Sequence, residues 1–287
     1  MTDSEPPLVS TAWLATHLEH PTLRILDATV DLTHPGDPGT SWAVASGAAE
    51  HAAEHIPGAL HADLLSQFSA PTGIFQRPDA DQVTAALAEL GIGSFSRIVI
   101  YDRAATVWAA RLWWVLRSFG IEASVLDGGL TAWQAEGRPT TSEPTPVTPC
   151  RPPAVTDRSE LFADCEEVLS VVRDGGACLV NTLSTSEFTA SEPTFFARGG
   201  RIPGSLNVPS FTLLAGDNTF LPVQALRKRF ADVLTGPDRK ILYCGIGVAA
   251  CVDALALTLL GETDVAVYDA SYEEWAADLS LPVEVHA

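Results

Sequence analysis

Positive charge is scarce in this chain. Its 287 residues include 17 lysines and arginines against 36 aspartates and glutamates, which gives a formal net charge of −19. Only two of the cations are lysines, Lys228 and Lys240. So acidic a chain offers no electrostatic surface for nucleic acid or for an anionic membrane, and we expect neither as a partner. An anionic substrate would need a local positive charge, which arginine would have to supply.

Long hydrophobic runs and paired cysteines are also missing. No stretch of about 18 apolar residues predicts a transmembrane helix. The start of the chain, Met1–Pro7, is acidic and polar, unlike a signal peptide with its basic head and apolar core. The five cysteines include no CxxC pair and no cluster with histidine at zinc-ligand spacing. We therefore expect free thiols in a reducing cytoplasm, with no metal and no organic cofactor.

What the chain does contain is an internal repeat. The turn His55-Ile-Pro-Gly58 returns as Arg201-Ile-Pro-Gly204. Three further features return at one common spacing along the chain: Asp102 as Cys244, Asp127 as Asp269, and Trp133 as Trp275. Solenoid repeats have periods of about 20–50 residues, far shorter than this spacing, so the repeated unit is a domain. The sequence therefore predicts two related domains.

A proline-rich stretch separates the two copies. Six prolines fall between Gly137 and Ser159, where neither a helix nor a central strand can continue. Such a segment is typical of a stiff extended linker. We predict a first domain over residues 8–140, a linker over 141–159 and a second domain over 160–285.

Short apolar runs alternate with helical patterns in both copies. The predicted strands are 23–27, 97–101, 123–126, 178–180, 241–243 and 265–268, and the predicted helices are 80–90, 108–119, 223–234 and 251–260. This alternation predicts an α/β fold in which each domain is a parallel sheet flanked by helices. In such sheets, ligands bind beyond the carboxyl ends of the strands.

Cys244 lies at one of these strand ends. It opens a loop of small residues, Cys244-Gly-Ile-Gly-Val-Ala249, that runs directly into an apolar helical segment. The thiolate is the reactive form of cysteine, and a helix N-terminus stabilises it. Gly245 and Gly247 supply the conformational freedom that lets backbone N–H groups curl around a ligand. The alternative is a buried structural cysteine, which is common at strand ends.

With these motifs, the chain resembles the tandem-domain rhodanese family of sulfurtransferases, most closely its thiosulfate and 3-mercaptopyruvate sulfurtransferase group. The motifs that carry the resemblance are the Ile-Pro-Gly turns, Arg111-Leu-Trp-Trp114, Leu126-Asp-Gly-Gly-Leu-Thr-Ala-Trp133 and the loop after Cys244. The resemblance implies two rhodanese-like domains. It also implies that the first lacks the nucleophile and carries Asp102 in its place.

The resemblance further implies a function and a site. Cys244 would be the catalytic nucleophile that forms a persulfide. The loop that binds substrate would consist of Gly245, Ile246, Gly247, Val248, Ala249 and Ala250. The sulfur donor would be a small anion, 3-mercaptopyruvate or thiosulfate, and the acceptor a thiol or cyanide, with a thioredoxin-like protein as one candidate.

Several positions depart from the family pattern. Ile246 and Ala249 replace a serine and a threonine of the mercaptopyruvate enzymes, and Phe75 is the counterpart of their histidine. Glu187 replaces an arginine that contacts substrate, and the loop lacks the cation of thiosulfate enzymes. The Gly-x-Gly-Val pattern favours mercaptopyruvate over thiosulfate as donor.

Two arginines are the predicted substrate contacts. Arg198 and Arg201 precede the second Ile-Pro-Gly turn and are the cations nearest to the expected pocket. A planar guanidinium suits a carboxylate or sulfonate. The alternative is a solvated turn in which neither arginine touches substrate.

Two other functions compete with sulfur transfer. A cysteine phosphatase needs Cys-x5-Arg to clamp phosphate, but Ala250 occupies that arginine's position. A weakly active or non-catalytic rhodanese-type module, which binds or regulates, stays open because of Ile246, Ala249 and Glu187. Cys251, two helical turns beyond Cys244, could resolve a persulfide or could simply fill the core.

Overall fold

The computed structural model of the protein describes residues 6–33 and 43–285. Most of the acidic start, Met1–Pro7, therefore lies outside the described residues. The chain forms two compact units. The described part of the first comprises residues 6–32, 44–158 and 215–220, and that of the second comprises 33, 43, 159–214 and 221–285.

The first unit is built on a parallel sheet of five strands. The strands of this half of the chain are β1 (Leu8–Val9), β2 (Leu23–Asp27), β3 (Val30–Thr33), β4 (Ala43–Ser46), β5 (Ala59–His61), β6 (Arg97–Tyr101) and β7 (Ser124–Leu126). The order in the sheet is β1-β7-β6-β2-β5, while β3 and β4 form a separate pair. The central strand β6 is apolar and buried from Ile98 to Tyr101, as expected for a parallel sheet covered on both faces.

Five helices accompany this sheet. They are α1 (Thr11–His17), α2 (Ala48–Ala53), α3 (Ala80–Glu89), α4 (Val107–Arg117) and α5 (Gly129–Ala135). The side chain of Asp79 caps α3 by accepting a hydrogen bond from the Gln82 N–H. The helix α4 is buried from Trp108 to Leu116, which is why its sequence is apolar on every side.

The second unit repeats the same sheet. Its strands are β8 (Phe162–Ala163), β9 (Cys178–Asn181), β10 (Leu206–Asn207), β11 (Lys240–Tyr243) and β12 (Val265–Tyr268), in the parallel order β10-β9-β11-β12-β8. Its helices are α6 (Cys165–Asp174), α7 (Thr185–Thr189), α8 (Val223–Arg229), α9 (Ala231–Leu234), α10 (Ala250–Leu259) and α11 (Ser271–Ala277). Short 3₁₀ helices span Ser159–Leu161 and Ser210–Leu213.

The two units share their topology. Read along each sheet, β6 and β11 are the central strands, flanked by β2 and β7 in the first unit and by β9 and β12 in the second. Each central strand ends in a tyrosine whose phenolic oxygen accepts a hydrogen bond from the isoleucine N–H of an Ile-Pro-Gly turn. The distances are 3.3 Å for Tyr101 and Ile56 and 3.0 Å for Tyr243 and Ile202. The repeat seen in the sequence is therefore a repeat of structure.

The predicted fold class is confirmed, with differences at element ends. The helical pattern over 223–234 divides into α8 and α9 because the backbone of Phe230 leaves the helical region (φ −95°, ψ 14°). The Phe230 side chain is fully buried at this point. The edge strands β1, β5, β8 and β10 span only two or three residues, too few to show periodicity, and were not predicted.

Two further features of the described residues bear on function. No helix in them is both long and apolar enough to span a bilayer. In the same ranges, no group of three or more His, Cys, Asp and Glu side chains is placed to hold a metal ion.

Candidate active site

Cys244 directly follows the central strand of the second unit. All four residues of β11 are buried, so the strand fixes the position of its carboxyl end within the core. The Cys244 side chain is 2% exposed. The residue before it, Tyr243, is the register partner of Asn181 at the end of β9. The cysteine thus lies at the edge of the parallel sheet where ligands bind in this class of fold.

The start of α11 holds the loop that Cys244 begins. The backbone N–H groups of Tyr272 and Glu273 donate to the carbonyl oxygens of Cys244 and Gly245, at 3.1 and 2.9 Å. The Cys244 N–H donates to the Ser271 hydroxyl oxygen at 3.1 Å. First-turn N–H groups have no partner inside their own helix, so α11 uses them to fix the loop.

A close approach to the backbone requires glycine at position 247, and Gly245 packs closely against a side chain. Gly247 has φ +76°, and a Cβ atom at this position would lie 2.1 Å from the Asp269 carbonyl oxygen. A Cβ atom on Gly245 would lie 2.8 Å from the ring of Phe196. The loop therefore keeps a tight curl against its neighbours, as its glycines predicted.

The loop leads into α10 without a side-chain cap. Ala249 is the N-cap residue, and its side chain makes no capping hydrogen bond. The Ser210 hydroxyl donates to the Ala249 carbonyl oxygen at 3.3 Å, and the Cys251 thiol donates to the Gly247 carbonyl oxygen at 3.4 Å. The positive end of the α10 dipole thus faces the loop without a carboxylate cap, which favours an anion there.

The first unit shows what such a loop binds. Asp102 stands at the end of β6, and its carboxylate accepts four backbone N–H groups. These come from Ala104 and Thr106 at 2.9 and 3.0 Å, and from Trp108 and Ala109 at 2.8 Å each. The spacing that relates Asp102 to Cys244 maps these donors onto the amides of Ile246, Val248, Ala250 and Cys251. The repeated loop is therefore an amide cradle for a negatively charged group.

Burial opposes the charge on Asp102. The carboxyl is fully buried, which raises its pKa above the ordinary value of 3.8, while the four N–H groups act in the opposite direction. A sulfur anion in an equivalent loop would be subject to the same two effects.

Two members of the Cys244 loop reach solvent. Ile246 and Ala249 are partly exposed, whereas Gly245, Gly247 and Val248 are buried. Both exposed residues are apolar, so no loop side chain offers a charge or a hydrogen bond to an approaching substrate.

Arg198 caps a helix. Its guanidinium donates to four backbone carbonyls at the C-terminal end of α11 and just beyond, at 2.6–2.9 Å: Trp275, Ala276, Asp278 and Leu281. Arginine near a helix C-terminus satisfies carbonyls that have no partner within the helix. The geometry assigns Arg198 to the support of α11, and a role in substrate binding stays untested.

Arg201 is engaged by side chains that surround its turn. It is 7% exposed, donates to the Glu284 carboxylate at 2.6 Å and lies 4.4 Å from the centre of the Phe188 ring. The pKa of Glu284 lies below its usual value, mainly through the Gly204 N–H and also through Arg201. Both predicted arginines are thus engaged with other groups of the protein, and their contact with substrate stays a prediction.

The remaining departures also have structural explanations. Glu187 closes a capping box at the start of α7, accepting from the Ser184 N–H at 3.1 Å and from its hydroxyl at 2.6 Å. Phe75 is fully buried at φ +61° in the first unit, where its ring lies 5.1 Å from that of Trp108.

Sequence reasoning did not single out four residues that support the loop. Ser271 and Tyr272 bind its first residue, Ser210 binds its last, and the buried Asp253 lies in the first turn of α10. The internal repeat could have indicated Ser271 from the sequence. The spacing of the repeat pairs it with Gly129, and both have positive φ, +56° and +55°.

Comparison with known proteins identifies the family. A model of the rhodanese-like domain matches residues 10–136 and 172–278. The 3-mercaptopyruvate sulfurtransferase of Escherichia coli K12 is 33% identical, with 96% of this chain and 97% of that protein covered. The thiosulfate sulfurtransferase of Rattus norvegicus is 34% identical, with 93% and 91% covered.

A solved structure agrees with this result. The crystal structure of SseA from Escherichia coli, described as a 3-mercaptopyruvate sulfotransferase with the rhodanese fold, matches with a TM-score of 0.75 and 27% identity. The alignment covers 93% of this chain and 99% of that one. The resemblance to sulfurtransferases predicted from the motifs is confirmed. The chain belongs to the rhodanese-like family, of which it contains two domains.

Proposed function

We propose that the protein is a sulfurtransferase that carries sulfur as a persulfide on Cys244. The observation that supports this most directly is the repeated loop. In the first unit it surrounds the carboxylate of Asp102 with four N–H groups, and in the second it presents a cysteine at the same position. The curated relatives are named as sulfurtransferases, which supports the same reaction class.

In the first half-reaction, the Cys244 thiolate attacks the transferable sulfur of the donor, which is the outer sulfur of thiosulfate or the single sulfur of 3-mercaptopyruvate. With thiosulfate, the S–S bond breaks and sulfite leaves with the electron pair. With 3-mercaptopyruvate, the C–S bond breaks, and the pyruvate enolate that leaves takes up a proton to become pyruvate. In both cases, the product on the enzyme is a Cys244 persulfide.

The loop and helix stabilise the charges of this step. The persulfide is an anion. By analogy with the four N–H groups around Asp102, the amides of the Cys244 loop and the N-terminus of α10 (Ala250–Leu259) would hold it. No metal or organic group is required, because the sulfur itself is the electrophile.

In the second half-reaction, an acceptor removes the outer sulfur. A thiolate or cyanide attacks that sulfur, and the Cys244 thiolate leaves with the electrons of the S–S bond. The acceptor becomes a persulfide or thiocyanate, and the enzyme returns to its starting state. A cytoplasmic location, which the five cysteine thiols fit, would supply thiol acceptors, including thioredoxin-like proteins.

The charge of the site favours 3-mercaptopyruvate over thiosulfate. Ile246 and Ala249 form the exposed part of the loop and carry no charge. Arg198 and Arg201 are engaged with backbone and carboxylate groups. Thiosulfate is a dianion, whereas mercaptopyruvate with its thiol protonated is a monoanion. The desolvation cost of an ion rises steeply with its charge, and among the described residues of the loop only backbone dipoles offset that cost. The dianion is therefore the less favoured donor.

Donor profiling tests the proposal. Wild-type protein and the C244S and C251S variants are assayed for sulfur transfer from each donor to cyanide and to dithiothreitol. We expect turnover by wild type and by C251S, greater specificity for mercaptopyruvate, and none above background by C244S. No turnover with either donor, together with an unmodified Cys244, would instead favour a binding or regulatory module.

A further inference from the structure

A buried acid lies directly behind the Cys244 loop. Asp253 is in the first turn of α10, and its side chain is fully buried. Neither carboxyl oxygen has a hydrogen-bond partner among the described residues. The spacing of the repeat pairs Asp253 with Arg111, so the repeat does not explain an acid here.

The polar neighbours of Asp253 connect it to the loop. The Ser210 hydroxyl lies close enough to lower the pKa of this carboxyl, although it forms no hydrogen bond of normal geometry with it. The same hydroxyl donates to the carbonyl oxygens of Thr182 and Ala249, at 3.1 and 3.3 Å. Ala249 ends the loop and precedes Asp253 by one helical turn, so the two residues lie on the same face of α10.

Hydrogen-bond accounting indicates the state of the acid. A serine hydroxyl has a single hydrogen, and that of Ser210 is directed at the two carbonyl oxygens. The Ser210 hydrogen is therefore already engaged, and the Asp253 carboxyl has no full hydrogen bond among the described residues. A buried carboxylate without donors is costly, which favours the neutral acid. Burial also raises the pKa of Asp253 well above the usual 3.8.

Among the described residues, no counter-charge faces Asp253 from the elements packed against α10. On β11, Lys240 pairs with Glu262 at 2.6 Å at the opposite end of the strand, and the Tyr243 hydroxyl binds the Ile202 N–H. On β12, the Tyr268 hydroxyl donates to a glutamate carboxylate. The 3₁₀ helix that contains Ser210 carries no titratable group, and the segment 244–259 carries only two others, the thiols of Cys244 and Cys251.

The charge of Asp253 therefore matters for sulfur chemistry. As a neutral acid, it leaves the positive end of the α10 dipole available to an anion on Cys244. As a carboxylate, it would place a negative charge in the first turn of that helix, where it would oppose a thiolate or persulfide.

From this arrangement we infer that Asp253 is a positioning residue for the sulfur transfer proposed above, and that its ionisation sets an alkaline limit on the loading of Cys244. The acid does not touch the donor. It acts on the loop through its charge, by leaving the α10 dipole unopposed when neutral and by repelling the sulfur anion when charged.

The test compares D253N with wild type across pH. Asparagine has nearly the same volume but stays neutral. Persulfide formation is measured by intact mass after brief exposure to 3-mercaptopyruvate, at constant ionic strength, from about pH 6 to about pH 10. The ratio of the D253N rate to the wild-type rate cancels the donor's own titration. We expect a ratio near one at the acidic end, rising to roughly tenfold at the alkaline end.

A ratio that does not change with pH would overturn the inference, because a purely structural role would shift both rates together. D253V is the second variant and should show the same rise, since it too cannot ionise. Urea unfolding of all three proteins confirms that each is folded at each pH.

The role of Asp253 can be tested even if the proposed function is wrong. If wild type acquires no sulfur at any pH, the persulfide proposal fails, and the rate of Cys244 alkylation by iodoacetamide then reports its thiolate directly. A pH-dependent rise of the D253N alkylation rate over wild type would still support the role of Asp253. A flat ratio there would contradict it.

Discussion

The carbonyl oxygens of Asp102 and Cys244 are held in the same way. Each accepts a hydrogen bond from the N–H of the second residue of the helix after the next strand, Leu130 at 3.0 Å and Tyr272 at 3.1 Å. The two units thus fix the residue after the central strand by one device, and they differ in what that residue carries. A carboxylate fills the loop in the first unit, whereas the second unit has the Cys244 thiol at the corresponding position.

Replacing Gly247 with alanine should damage the loop and destabilise the fold. The residue has φ +76°, and the new Cβ would lie 2.1 Å from the Asp269 carbonyl oxygen. Strain and collision together should lower the free energy of unfolding by more than about 2 kcal/mol. Urea denaturation measures the loss.

Gly261→Ala is the matched control for this substitution. Gly261 also has positive φ, +92°, but a Cβ there would meet nothing within 4 Å. We expect a loss of about 1 kcal/mol from backbone strain alone. Equal losses in the two variants would show that the contact with Asp269 is unimportant.

Arg198→Ala should affect stability far more than substrate affinity. The guanidinium holds four carbonyls at the end of α11, whose other end fixes Cys244 and Gly245. We expect the free energy of unfolding to fall by about 2–4 kcal/mol. The KM for each donor, measured well below the unfolding temperature, should stay within about twofold. A large rise in KM with unchanged stability would instead support the substrate contact that the sequence suggested.

Acid should weaken the first unit through Asp27. Although burial raises the pKa of this carboxyl, hydrogen bonds from His51 at 3.1 Å and from Thr29 at 2.5 Å outweigh it, and the pKa lies below the usual 3.8. A carboxyl whose pKa is lower in the folded state than in the unfolded state stabilises the fold at pH values above the unfolded-state pKa. This contribution is lost as the pH falls through the folded-state pKa.

D27N tests this dependence by urea unfolding from about pH 7 to about pH 3. The variant should be less stable than wild type by about 1–3 kcal/mol at neutral pH, and the difference should shrink below about pH 4. D278N, which alters an exposed carboxyl whose pKa is also lowered, should remain close to wild type. A difference between D27N and wild type that is constant with pH would contradict the role of the charge.

A cation placed at the loop should change the donor preference. Ile246 is partly exposed and uncharged, and an arginine there could pair with a sulfonate through two hydrogen bonds. We expect I246R to lower the KM for thiosulfate by about three- to tenfold, with the gain falling as salt is added. I246M has a similar length without the charge and should leave the preference unchanged. An equal effect in both variants would exclude an electrostatic cause.

The sequence predicted those features that depend on local pattern. The strands that end at Asp27, Tyr101 and Tyr243, and the glycines after Cys244, follow from apolar runs and small residues over a few positions. The common spacing of the repeated features also predicted that the two units are related to each other. Composition and spacing were sufficient because these features are repeated or contiguous.

What the sequence could not supply were contacts between distant segments. The position of Arg198 before the Ile-Pro-Gly turn predicted a substrate contact, which stays a prediction. It gave no sign of the backbone partners of Arg198, which lie 77–83 residues later. Asp253 is a single acid within an apolar helical pattern, and only the structure shows that its oxygens lack partners among the described residues. Where an arginine or an acid finds its partner is decided by packing, which leaves no periodic signal.

The most direct test of the account is the mass of the protein after exposure to donor. Wild type is incubated with 3-mercaptopyruvate, desalted and analysed intact, then digested to locate the modification, alongside C244S and C251S. The account predicts a gain of one sulfur atom in wild type and in C251S, localised to Cys244 and removed by cyanide. Sulfur retained by C244S, or none acquired by wild type, would contradict it.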